Sequence, residues 1–99
     1  DTGNCLKITS PRIEDNRYSS YSRIYIKGIV KNTCGRTVDF VRINAVIYNS
    51  QNSAVATPWT YTSPSPSLNS NEVGEFEVRV IDEYVVNNFD HYELSVSGE

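Results

Sequence analysis

Tyr21-Ser22-Arg23-Ile24-Tyr25-Ile26-Lys27-Gly28-Ile29-Val30-Lys31 is the stretch that decides how this chain folds. Read with a period of two, Ile24, Ile26, Gly28 and Val30 share one face, while Tyr21, Arg23, Tyr25 and Lys27 share the other. Successive side chains leave a strand on opposite sides, so this pattern describes a strand with one dry and one wet face. Three further segments repeat it. Val38 to Tyr48 puts Val41, Ile43, Ala45 and Ile47 inward, and Val73 to Ile81 puts Phe76, Val78 and Val80 inward against Glu75, Glu77 and Arg79. His91 to Ser97 closes the chain with Tyr92, Leu94 and Val96 on its inner face. Helical spacing is almost missing.

The segments between them carry turn chemistry. Cys5 to Ile8 reads as a first short strand stopped at Ser10-Pro11, and Glu14-Asp15-Asn16-Arg17 with Ser19-Ser20 reads as a loop. Asn32-Thr33-Cys34-Gly35-Arg36 contains residues that tolerate a left-handed backbone. Asn49-Ser50-Gln51-Asn52-Ser53 suits a hairpin connection into a strand from Ala54 to Thr62. Ser63-Pro64-Ser65-Pro66-Ser67 has a linker's composition, but strands continue on both sides, so it reads as a crossover from one sheet to the other. Asp82 to Asn88 fits either a turn of helix or a loop. Six or seven short strands with frequent turns predict an all-β, immunoglobulin-like antiparallel β-sandwich, with a small barrel as the alternative.

The 99 residues suit one domain, 1–99. Asp1 opens the sequence and methionine is absent, which suggests a piece excised from a longer chain. The net charge is −3, and Arg23, Lys27 and Lys31 are diluted by tyrosines and apolar residues. Nucleic-acid binding needs a basic stripe to replace phosphate counterions, so it is not expected. No stretch reaches the apolar length of a membrane span. The two cysteines, Cys5 and Cys34, lack the companions of a metal site, since His91 is the single histidine. They lack redox-motif spacing as well. The remaining reading is a disulfide formed in an oxidising compartment, extracellular or in the cell envelope. It closes a loop of roughly 30 residues, worth about 3–4 kcal/mol in the chain-entropy model.

Several of these segments, in order, resemble the FxLYD family of small extracytoplasmic β-sandwich domains. Gly28-Ile29-Val30-Lys31-Asn32 resembles that family's strand ending in asparagine, and Val41, Ile43 and Ile47-Tyr48-Asn49 resemble its naming segment. Leu68, Glu72 and Phe76 follow its later pattern, and Tyr92-Glu93-Leu94 its last strand. Ala45 stands where the naming pattern has Phe, Ile47 replaces Leu, Asn49 replaces Asp, and Ser70-Asn71 replaces Pro-Gly. The resemblance implies a sandwich fold and a place outside the cytoplasm, and it carries over no catalytic residue.

Enzyme chemistry has no motif here. Asp90 and His91 are chain neighbours, which on a strand point apart, and no nucleophile-elbow pattern singles out a serine. No cofactor is expected. Glu14-Asp15-Asn16 and Asp82-Glu83 lack the alternating ligand spacing of a calcium loop. Asn32-Thr33-Cys34 is a weak glycosylation acceptor that a disulfide would empty of meaning. The aromatic residues carry the open question. Trp59 and Tyr61 share a face with Val55 and Thr57, and the expectation is a core face with Trp59 pinning the sheets together. The alternative is an exposed platform that stacks on sugar rings. Tyr21 and Tyr25 share the wet face of their strand, where cross-strand packing is the simpler role and ligand contact the sharper one. The expected function is a non-catalytic envelope or secreted module that spaces or contacts other protein domains or envelope components. The rival is a carbohydrate-binding module, using Trp59 and Tyr61 to hold polysaccharide.

Overall fold

The computed structural model describes residues 5–18 and 22–99, and the alternating segments all become strands. In chain order these are β1 (Leu6–Asn16), β2 (Arg23–Asn32), β3 (Arg42–Tyr48), β4 (Ala54–Ala56), β5 (Trp59–Tyr61) and β6 (Val73–Val80). A short helix α1 (Glu83–Asn88) precedes the last strand, β7 (His91–Ser97). One antiparallel sheet runs β1-β2-β6. In the other, β3 pairs with β4 and β5 along one side and with β7 along the other. Two sheets face to face make an all-β sandwich.

The core sits where the two inner faces meet. Ile24, Ile26 and Val30 of the first sheet are fully buried, as are Ile43 and Ile47 of the second and Val41 just ahead of β3. Phe76 and Val78 join them, while Leu94 is only half-buried at the margin. Gly28 lies directly opposite Phe76 in the ladder. A Cβ at Gly28 would come within 2.6 Å of the Phe76 ring, so the glycine is the seat over which that ring lies.

Three expectations about the elements are corrected. β1 does not stop at Ser10-Pro11. It runs to Asn16 with a register shift between Thr9 and Arg12, so Glu14, Asp15 and Asn16 are strand residues. β1 is an edge strand, where a proline displaces no ladder bond, and Ser10 takes a φ of 52° to absorb the bulge. The segment Val38 to Tyr48 is not one strand: Val38 bridges to Leu68, Phe40 has a φ of 51°, and β3 begins at Arg42. The segment from Ala54 to Thr62 is likewise broken at Thr57-Pro58 into β4 and β5.

Asp82 to Asn88 resolves as a helix. The Asp82 carboxylate accepts from the Val85 N–H at 3.2 Å, capping it, and Val85 and Val86 are buried. The stretch from Ser63 to Ser67 carries the chain from β5 in one sheet to β6 in the other. Along the way Ser63 and Glu75 exchange two backbone hydrogen bonds of 2.7 and 3.0 Å, which closes the sandwich along that seam. The opposite seam lies between the edge strands β1 and β7, and no bridge closes it among the described residues. Cys5 and Cys34 form the disulfide, with Cα atoms 4.9 Å apart, tying the start of β1 to the turn after β2.

Candidate functional site

The site begins with the face that β5 turns outward. In the ladder Tyr61 stands opposite Arg42, Thr60 opposite Ile43 and Trp59 opposite Asn44. Ile43 points into the core, so Thr60 does as well, and Trp59 and Tyr61 point out. Trp59 is 48 % and Tyr61 41 % exposed. This overturns the expectation that Trp59 pins the two sheets. The inner position near this strand is filled by Thr62, 4 % exposed, lodged where Leu68 and Gly74 approach. Register to β3 decided the face, and the greater apolarity of the Trp59 side did not.

The exposed rings form a ridge. Trp59 and Tyr61 meet edge-on at 5.1 Å between centroids, with an interplanar angle of 75°. Phe40, 55 % exposed, continues the ridge 6.4 Å from Tyr61. The Arg42 guanidinium lies 4.2 Å from the Trp59 ring centroid, within cation–π range, and its Nε donates to Asn44 Oδ1 at 2.8 Å. Beside them Ser95 and Ser97 of β7 flank Asn44 and Arg42 in the ladder, placing hydroxyls on the same outer face. A groove of about 430 Å³ runs between Phe40, Arg42, Tyr61 and the Ser97–Glu99 segment. Phe40, Arg42 and Asn44 escaped the sequence reading. The signal that could have found them is the polar alternation Arg42, Asn44 against Ile43, Ala45, which marks the outward face that any partner strand must match.

The other candidates are not brought to this ridge. Tyr25 lies on the outer face of the other sheet, opposite Glu14 and Arg79, with Lys27 Nζ 5.7 Å from its ring centroid. Tyr21 lies outside the described residues.

His91 and Asp90 do form a pair, contrary to the strand-alternation argument. Asp90 precedes the first residue of β7, so alternation does not apply to it, and His91 Nδ1 lies 2.8 Å from Asp90 Oδ2. The other ring nitrogen lies 2.8 Å from Asn52 Oδ1 in the β3–β4 turn, and the ring stacks on Tyr48 at 4.8 Å. A side-chain amide, not a hydroxyl or thiol, thus occupies the place a nucleophile would take. The Tyr48 phenol is held above its ordinary pKa, first by loss of surrounding water and then by the Glu93 carboxylate to which it donates at 3.3 Å.

Three of the candidate calcium carboxylates are engaged elsewhere, and Glu83 lies in the first turn of α1. Glu14 pairs with Lys27 at 3.0 Å, Asp15 with Arg17 at 2.8 Å, and Asp82 caps α1. No group of three or more His, Cys, Asp or Glu side chains suited to a metal ion occurs among the described residues. No helix there is long and apolar enough to cross a membrane.

The fold and ridge define a class, a small disulfide-bonded β-sandwich presenting an aromatic strip on one sheet. No family model matches the chain, and no curated protein or solved structure matches it.

Proposed function

We propose that this domain is a non-catalytic extracytoplasmic module that contacts another protein through the outer face of its four-stranded sheet. The observation that carries the reading is the exposed ridge Phe40–Tyr61–Trp59 with Arg42 laid over the indole. Tryptophan, tyrosine and arginine are the side chains that most often dominate protein-interface energetics, because each offers a large, stiff contact surface with a polar handle. A domain that served only as a spacer would have no need to leave three large aromatic rings in water. The Cys5–Cys34 disulfide supports an oxidising location. The Asp90–His91–Asn52 arrangement, with no nucleophile in it, supports a non-catalytic role. The resemblance to the FxLYD family agrees with both.

One observation favours the carbohydrate reading. Asn44, Ser95 and Ser97 stand beside the rings, as hydroxyl-binding groups do in sugar sites. Against it, rings set at 75° do not form a flat platform over which consecutive sugar rings could stack.

The two readings part in one experiment. Trp59→Ala is expected to melt within about 1 kcal/mol of the parent, since the side chain is largely exposed. Parent and variant, immobilised, are then exposed to a secreted and envelope protein fraction and to soluble polysaccharides. The expected result is retention of a defined protein by the parent, weakened about 30-fold or more in Trp59→Ala, as for an interface hot spot. Polysaccharide retention competed by free sugar would transfer the site to the second reading. If parent and variant behave alike in both fractions, the ridge is not a contact surface.

A further inference from the structure

Among the described residues the outer edge of β7 has no partner strand, its sequence complements itself, and we propose that it joins two copies of this domain into one continuous sheet. The argument begins with where the backbone groups of β3 go. Ala45 N donates to Pro58 O and Val41 N to Pro66 O, while Val41 O accepts from Thr62 N. The odd-numbered residues of β3 therefore direct their backbone groups toward the β5 side. The even-numbered ones face β7, where Arg42, Asn44 and Val46 stand opposite Ser97, Ser95 and Glu93. Backbone direction alternates along a strand, so Tyr92, Leu94 and Val96 point their N–H and C=O groups away from β3. No hydrogen bond to those outward groups is found among the described residues.

Edges of this kind invite pairing, and proteins usually blunt them with prolines, bulges or charge. β1, the edge strand of the other sheet, has all three: Pro11, the shift between Thr9 and Arg12, and the run Arg12, Glu14, Asp15. β7 has no proline, no lysine and no register shift against β3, and its one acidic residue is Glu93. Its inner row, Tyr92, Leu94 and Val96, is only half-buried at the open seam between the sheets.

A second copy fits this edge in one register. Antiparallel pairing about a two-fold axis at Leu94 sets Leu94 against Leu94 of the second copy, and Tyr92 against its Val96. All three positions have outward backbone groups, so the register forms about six main-chain hydrogen bonds. On the inner face it joins an aromatic with a β-branched residue, a favourable cross-strand pair. On the outer face Glu93 meets Ser95 and His91 meets Ser97, so no like charges oppose each other. An isologous interface needs this self-complementarity.

The inference is independent of the ridge and its ligand, but it bears on them. The two-fold stands perpendicular to the sheet, so both ridges would face the same way, five strand spacings or roughly 24 Å apart.

Sedimentation over a concentration series tests it. The parent chain is expected to show a monomer–dimer equilibrium. Ser95→Glu sets two carboxylate pairs in opposition across the dyad and should weaken the dimer about tenfold. Ser95→Lys should strengthen it. Glu93→Lys combined with Ser95→Glu again sets opposite charges against each other and should restore the affinity to the parent value or above it. Both positions are exposed, so melting of the dilute variants should match the parent and show that folding is intact. Trp59→Ala should leave the dimer unchanged, separating this result from the fate of the ridge. A parent that stays monomeric throughout, a dimer indifferent to Ser95→Glu, or a charge exchange that restores nothing would each overturn the proposal.

Discussion

Asn32 is fully buried, and its side chain holds three segments at once. Its Nδ2 donates to Arg36 O at 2.7 Å and to Leu68 O at 2.8 Å, and its Oδ1 accepts from Cys34 N at 2.8 Å. The turn after β2, the crossover's far end and the disulfide therefore depend on one amide. A buried polar group is tolerable only when its hydrogen bonds are made. Asn32→Ala should cost about 2–4 kcal/mol, because it takes the partner from the Arg36 carbonyl and the Cys34 N–H and leaves Leu68 O with only the Val38 N–H. Asn32→Asp should be worse despite the same shape, since a carboxylate would face carbonyl oxygens. Thermal melts of the two variants check this, and a milder loss for Asp than for Ala would show that the amide's donors matter little. From the sequence Asn32 reads as a turn former, a weak glycosylation acceptor and the strand-ending asparagine of the FxLYD resemblance, with no partners assigned to its side chain. A side chain that bridges distant carbonyls leaves no local pattern, so its role was not legible.

At the scale of elements, alternation was a reliable guide wherever a strand is long enough to fix its own phase. β2, β3, β6 and β7 run for 10, 7, 8 and 7 residues, and their inner faces were legible. β5 has 3 residues, and Ala56, Pro58 and Thr60 keep one register against β3 across the break at Thr57-Pro58. Trp59 and Tyr61 therefore do share a face, and the error lay in taking the more apolar face as the buried one. Its face is set by the neighbouring strand. β1 failed for another reason, because Pro11 reads as a stop although an edge strand can accommodate it. The far end of β1 is instead fastened to α1. Arg17 pairs with Asp15 at 2.8 Å, donates to Phe89 O at 3.0 Å, and lies 5.6 Å from the Phe89 ring centroid.

That fastening carries a pH dependence. The Arg17 hydrogen bond holds the Asp15 carboxyl below its ordinary range, outweighing the opposing effect of burial. A carboxyl depressed in the folded state stabilises above its unfolded pKa of about 4, and that contribution fades as pH falls through the folded value. Parent and Asp15→Asn should therefore differ in melting temperature at neutral pH and converge in acid. The gap should be small, because a largely exposed pair is screened by solvent. A gap that widened in acid would contradict the assignment.

For the whole molecule, the all-β sandwich class and the disulfide pairing could be anticipated, because each follows from local alternation and simple counting, whereas which strands share a sheet was not read from the sequence. The site could not be placed on the correct side of its strand, because the register between β3 and β5 is a long-range fact. The disulfide also has a mechanical meaning. Cys5 and Cys34 are 29 residues apart and enclose the whole of β1 and β2 in a covalent loop. A pull on the two ends of the domain passes from Cys5 straight to Cys34, and the looped strands stay slack even after the fold gives way. The module thus holds a reserve of contour length that tension alone cannot reach, about 3.5 Å for each of those 29 residues or roughly 100 Å. Force-extension curves of single molecules should lengthen by about that amount when a reductant is added, and equal extensions with and without it would mean that the loop is not closed.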